Sequence, residues 1–298
     1  MAATLDIRAV AKNFGAVAAL AGINISAAAG ERIALLGHNG AGKTTLFKLI
    51  LGFLSPDAGA IAIAGAAPGS PAARKAISYL PENVAFPGTL TGAEAIALYA
   101  RLKRAAPASA AEALDRVGLA GAATRRINGY SKGMRQRLGL AIASLNAPSL
   151  ILLDEPTTGL DAASRAEFYD RFRRLAANGA TVVYSSHTLN DIAGNADRII
   201  ILKAGRIVAE GDEAALRAMT NIPSKIVFRF PEAETEAAAH AIGGRIEAGG
   251  EVVIDCAPQD KMATLARVLA GTEPLDVEIR DASLSEIFTA LSRDEGRP

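Results

Sequence analysis

The sequence predicts an α/β fold built around a phosphate-binding loop, and three observations predict it. Short apolar runs alternate with amphipathic helical segments from Leu5 to about Arg217, the rhythm of a sheet covered by helices. Several of those runs, such as Arg32-Ile33-Ala34-Leu35-Leu36 and Leu150-Ile151-Leu152-Leu153, show no polar alternation, as strands buried on both faces do not. Directly after the first of them stands Gly37-His38-Asn39-Gly40-Ala41-Gly42-Lys43-Thr44, and the helical run Thr45-Leu46-Phe47-Lys48-Leu49-Ile50 follows it.

That strand–loop–helix context gives the loop its meaning. Glycines let the backbone curl so that successive N–H groups point inward at phosphate oxygens. The helix N-terminus adds its partial positive charge. Lys43 can reach the β- and γ-phosphates, and the Thr44 hydroxyl can ligate Mg²⁺. Gly37, His38, Asn39, Gly40, Ala41, Gly42 and Thr45 are candidate contacts beside them, and the stretch reads as a nucleoside triphosphate site.

In chain order, the expected strands are residues 5–8, 23–26, 32–36, 61–64, 77–80, 150–153, 181–185, 199–202 and 207–210, each a short β-branched or leucine-rich run between turn residues. Between Thr91 and Ala147 this signal stops. Helical periodicity over residues 93–102, 110–117 and 132–145 predicts a helical subdomain, about residues 91–147, inserted into the sheet. The turn-prone Asn221-Ile222-Pro223 separates a first domain, residues 1–220, from a second, residues 224–298. The second reads strand 225–230, helix 234–242, strands 245–247 and 251–256, helix 260–269, strand 276–279 and helix 284–291. That β-α-β-β-α-β order is similar to a ferredoxin-like α+β module.

Composition narrows the function. The 298 residues suggest one or two domains, and 50% hydrophobic with 21% charged residues describes a globular chain with ample core. A formal net charge of +1 gives no overall pull toward nucleic acid. One cysteine, Cys256, excludes an internal disulfide framework and suits a reducing cytoplasm. Met1–Asp6 lacks the pattern of a signal peptide, and no apolar run reaches the roughly 18 residues a membrane span needs. The chain is expected to be soluble by itself.

Leu150-Ile151-Leu152-Leu153-Asp154-Glu155 ends a buried strand in two carboxylates, and that strand is expected in the sheet next to the phosphate loop. Asp154 can then orient Mg²⁺ while Glu155 polarises the attacking water. An acidic pair at a strand end can equally cap a helix; Lys43 upstream favours chemistry. Tyr130-Ser131-Lys132-Gly133-Met134-Arg135-Gln136 opens a helix with Ser131 as N-cap, and Gly133 lets a phosphate approach the first N–H groups.

Phosphate loop, serine-glycine helix start, the run from Leu152 to Asp161 and Ser185-Ser186-His187 follow in one fixed order. That order resembles the ATP-binding cassette (ABC) ATPases over residues 4–217. The resemblance implies that Lys43, Thr44 and the loop glycines hold phosphate and Mg²⁺. It further implies that Phe14 stacks on adenine, Glu155 is the general base, Asp161 ends the D-loop, His187 is the switch residue and Ser131 and Gly133 contact the γ-phosphate across a homodimer. Two positions depart from the family pattern. Tyr130-Ser131-Lys132-Gly133-Met134 stands for the usual Leu-Ser-Gly-Gly-Gln, and Glu82 stands where the Q-loop glutamine ligates the metal.

His38-Asn39, Tyr79-Leu80-Pro81-Glu82-Asn83-Val84, Tyr99-Ala100-Arg101-Leu102-Lys103, residues 130–141 and Ala282-Ser283-Leu284-Ser285-Glu286-Ile287-Phe288 are similar to the ATPase of the nitrous oxide reductase maturation (Nos) system. This resemblance implies a peripheral protein on the cytoplasmic face of the inner membrane. It would drive an ABC permease linked to a periplasmic partner, in assembly of a copper–sulfur centre. The chain itself offers one cysteine, four methionines and three histidines, too scattered for a soft copper site, so no direct copper binding is expected. His240 is expected to be solvated and Cys256 to be a core residue.

Two other readings compete: an exporter of another substrate, and a soluble ABC ATPase acting on nucleic acid or ribosomes. The second lacks a paired cassette or a long coiled-coil insertion, and Arg125-Arg126 and Arg171, Arg173 and Arg174 are short runs that read as solvated helix faces. Permease docking is expected near residues 82–87, with Ala85 and Phe86 as apolar anchors.

Overall fold

The structure, a computed structural model, describes residues 3–187, 189 and 192–293. The chain forms two compact units that divide between Asp212 and Glu213. The first begins β1 (Leu5–Phe14), β2 (Val17–Ala27), β3 (Arg32–Leu36), α1 (Lys43–Ile50), β4 (Ala58–Ile63), α2 (Pro71–Ala76) and β5 (Ile77–Leu80). It continues α3 (Gly92–Leu102), α4 (Pro107–Arg116), α5 (Lys132–Ala143), β6 (Leu150–Leu153), α6 (Ala162–Ala177), β7 (Thr181–Ser186), β8 (Arg198–Lys203) and β9 (Arg206–Gly211).

Two sheets share this unit. β2, β1 and β4 form an antiparallel sheet in that order, and six strands form the other in the order β5-β6-β7-β3-β8-β9. All pairs of the second sheet are parallel except β8 with the edge strand β9. The apolar runs that predicted the central strands are buried throughout β6 and over four of the five residues of β3. β6 lies in the same sheet as β3, with β7 standing between them. The crossover through α6 returns the chain into that gap, which places β7, with Ser185 and Ser186 at its end, between the two strands.

β1 and β2 run to 10 and 11 residues, far beyond the expected residues 5–8 and 23–26. Their alanine-rich outer halves carry little hydrophobic signal, and register shifts between Ile7 and Asn13 break the alternation. Leu20 of β2 packs with Leu46 and Phe47 of α1 in one core cluster.

Helices α3, α4 and α5 enclose a core of their own that includes Ile96, Leu114, Tyr130 and Leu138. Thr91 and Glu94 start α3 with a reciprocal capping box. Phe86 packs against this same core and stands edge-on to Tyr99, with ring centroids 6.0 Å apart. It is thus partly buried against its own helices.

The second unit consists of α7 (Glu213–Ala218), β10 (Ser224–Arg229), α8 (Thr235–Ile242), β11 (Arg245–Glu247), β12 (Glu251–Cys256), α9 (Lys261–Leu269), β13 (Asp276–Arg280) and α10 (Leu284–Arg293). Its sheet runs β11-β12-β10-β13, antiparallel at every pair. The boundary lies earlier than the expected residues 221–223, because α7 packs against α10. Cys256 is only half-buried beside the core of this unit. Among the described residues, no helix is long and apolar enough to cross a membrane.

Candidate functional site

The phosphate loop leaves β3 at Gly37, where close packing forbids a side chain. A Cβ at this position would lie 2.4 Å from the Leu202 carbonyl oxygen and 2.8 Å from the Ala41 Cβ. Gly42, the N-cap of α1, adopts φ 110, a conformation that L side chains rarely adopt. A Cβ here would meet Leu20 Cδ2 at 2.7 Å and the Ala19 carbonyl at 2.8 Å, so β2 is packed directly against the loop. His38, Asn39 and Gly40 are exposed, Ala41 is buried, and Thr44 and Thr45 open α1. The Ala41 N–H donates to the His38 carbonyl at 3.1 Å, closing the turn.

Lys43 is buried and curls over the loop. Its ammonium donates to the Gly37 carbonyl and lies 3.5 Å from that of His38. Glu155 Oε1 is 3.7 Å from the same nitrogen, while Oε2 meets His187 Nδ1 and accepts from Thr158 Oγ1 at 3.3 Å. Lys43, Glu155 and His187 thus converge from three segments of the chain. An open cleft of about 600 Å³ is lined by His38, Asn39, Glu82, Glu155 and His187.

Asp154, one residue before Glu155, is buried. Its Oδ1 accepts from Ser185 Oγ at 2.7 Å and its Oδ2 from the Tyr79 hydroxyl at 3.3 Å. Burial, and then the negative charge of Asp154, hold the Tyr79 phenol well above its usual pKa, so it remains a donor. Neither Tyr79 nor Ser185 was expected in the site. The signal was present in Ser185-Ser186-His187, whose first serine lies within a fully buried strand and must find a polar partner.

Phe14, Ser131, Gly133 and Asp161 do not line this cleft. Phe14 ends β1 and is 50% exposed, with the Lys12 ammonium 5.9 Å from its ring centroid. Ser131 caps α5, accepting from the Met134 N–H at 3.2 Å. Gly133 is buried against α6, where a Cβ would lie 3.1 Å from Ser164 Oγ. Asp161 caps α6, and the Ser164 N–H and hydroxyl bonds it accepts hold its carboxyl below the usual range.

Thr44, Glu82 and Asp154 offer only oxygen donors, the set that suits a hard cation such as Mg²⁺. Among the described residues, no group of three or more His, Cys, Asp or Glu could hold a metal ion. The donor set therefore fits Mg²⁺ shared with phosphate oxygens rather than a cage made by the protein alone.

Known proteins are similar to this chain in sequence and fold. Residues 20–158 match the family described as ABC transporter. A daunorubicin resistance ATP-binding protein of Streptomyces coeruleorubidus is 36% identical, covering 96% of this chain and 95% of that protein. Nod factor export ATP-binding protein I of Burkholderia orbicola is 33% identical over 98% of each chain. A solved ATP-binding subunit of an ABC transporter superposes with a TM-score of 0.66 at 30% identity, covering 72% of this chain and 92% of that one. The chain belongs to the ATP-binding subunits of ABC transporters, and it is an ATPase coupled to transport.

Proposed function

We propose that this chain is the motor subunit of an exporter, working as a homodimer beneath a membrane permease on its cytoplasmic face. The observation that carries the reading is the convergence of Lys43, Glu155 and His187 on one open cleft. The near-full-length likeness to proteins named for drug resistance and Nod factor export supports the export direction.

In this reading the loop N–H groups and Lys43 hold the ATP phosphates, and Phe14 carries the adenine. Binding draws the Lys43 ammonium from the Gly37 carbonyl and from Glu155 onto phosphate. Glu155, released from Lys43, accepts a proton from the attacking water while His187 turns to the γ-phosphate. Thr44, Asp154 and Glu82 would hold Mg²⁺, which would supply positive charge against the phosphates. Ser131, Gly133 and Asp161 serve the partner protomer's nucleotide. The helices α3–α5 act as the helical subdomain, and the sheet order of the second unit supports its ferredoxin-like reading.

A purified complex with the permease should hydrolyse ATP only with Mg²⁺, and Lys43→Met should abolish this activity. Activity that survives Lys43→Met would refute the assignment of the cleft. A second reading, the Nos maturation role with a periplasmic partner, draws support from residues 79–84 and 130–141 of the sequence. Deleting the gene separates the two: loss of copper-loaded nitrous oxide reductase favours maturation, and loss of efflux favours export of another substrate.

A further inference from the structure

We propose that Ser185, assisted by Tyr79, is a positioning residue that sets the Asp154 carboxylate and the Glu155 peptide in one fixed geometry. The inference rests on the reading of Asp154 as a Mg²⁺ ligand and of Glu155 as the base.

Ser185 is fully buried near the end of β7. Its hydroxyl makes two bonds of opposite sense, donating to Asp154 Oδ1 at 2.7 Å and accepting from the Glu155 N–H at 2.9 Å. One hydroxyl therefore spans both acidic residues from a different strand. The bond to Glu155 matters because that residue adopts φ 46, a left-handed conformation that is unfavourable in a non-glycine residue. An accepting group on its amide is what the surroundings supply to hold it there.

Tyr79 grips the other oxygen of Asp154. Its ring stands edge-on to Phe47 of α1, with centroids 6.4 Å apart, so the phenol is fixed by the helix that follows the phosphate loop. Each Asp154 oxygen thus has one protein donor, which fixes the plane of the carboxylate and leaves its remaining lone pairs a single direction. Such outer partners of metal ligands usually contribute 10–100-fold to metal affinity. Both residues act through Asp154 and Glu155.

The test is titration calorimetry of a non-hydrolysable ATP analogue, with Mg²⁺ and with EDTA, on Ser185→Ala and Tyr79→Phe. Ser185→Ala should reduce the Mg²⁺-dependent gain in affinity about 10-fold, and Tyr79→Phe about 3-fold, with EDTA affinities within about 2-fold of wild type. In the same variants kcat should fall, and the Mg²⁺ concentration for half-activation should rise. An unchanged Mg²⁺ gain in both variants, with Asp154→Asn abolishing it, overturns this inference alone. A gain that survives Asp154→Asn overturns the Asp154 reading beneath it. If Ser185→Ala does not fold, Tyr79→Phe decides: it removes one hydroxyl from a half-buried ring, and an unchanged Mg²⁺ gain in it overturns the clamp.

Discussion

Replacing Lys103 by methionine tests how the helices α3–α5 are held to the central sheet. Lys103 follows α3, and its ammonium donates to Ser78 Oγ of β5 at 2.7 Å and to the Ile142 carbonyl of α5 at 2.9 Å. Burial pushes its pKa down to about 8 from the ordinary 10.5. Between those values the unfolded chain still binds the proton that the folded chain has lost, so stability rises with pH across that window. At about 1.4 kcal/mol per pH unit, the full rise is about 3 kcal/mol. Methionine keeps most of the stem and removes the titration. Urea unfolding followed by circular dichroism at pH 7, 8, 9 and 10 gives the wild-type-minus-variant stability, in which groups common to both chains cancel. That difference should climb by about 2–3 kcal/mol in favour of wild type from pH 7 to 10. A flat difference would refute the burial argument for this ammonium.

Other consequences are as direct. Glu155→Gln should bind ATP without hydrolysing it and accumulate as a dimer on size exclusion in the presence of permease; a variant that binds ATP but stays monomeric there refutes the shared-nucleotide arrangement. A chain ending at Asp212 should bind ATP with affinity within about 3-fold of the full chain by calorimetry, because the cleft residues all precede that point. Asp281 accepts from Lys261 at 2.7 and 2.8 Å and from Ser224 Oγ at 2.6 Å, and these bonds lower its pKa. Its contribution is present above the unfolded carboxylate value, about 3.9, and is lost as pH falls through the folded one. Acid unfolding of Asp281→Asn should accordingly show a shallower loss below pH 4 than wild type.

The strands β3 and β6 were legible to the residue because an uninterrupted apolar run bounded by glycine or by acids has few other solutions. The loop from Gly37 to Thr44 was legible for the same reason of local geometry. β1 and β2 were under-read, since alanine carries little signal and register shifts interrupt the period-2 pattern. Contacts between distant positions were out of reach. Tyr79 and Asp154 are 75 positions apart, and Ser185 and Asp154 are 31 apart. The pairing of β6 with β5 on one side and with β7 on the other brings them together, and strand order is not written in any local run. The edge-on packing of Phe86 on Tyr99 is another contact that no local run records.

The close approach at Gly139 makes α5 a lever. A Cβ there would lie 2.4 Å from Leu80 Cδ1, so β5 and the helix meet almost backbone to side chain and provide a fulcrum. Ser131 stands eight residues away, about 12 Å along the axis at the usual helical rise. A tilt of about 15° at the fulcrum would therefore swing Ser131 by about 3 Å, the length of one hydrogen bond. Between the two lies Gln136, whose amide donates to the Glu82 carbonyl at 3.2 Å, so a displacement of the Glu82 segment is applied near the short arm. The gearing turns a small push at a backbone carbonyl into the making or breaking of a contact at the far tip, with no unfolding of the helix in between.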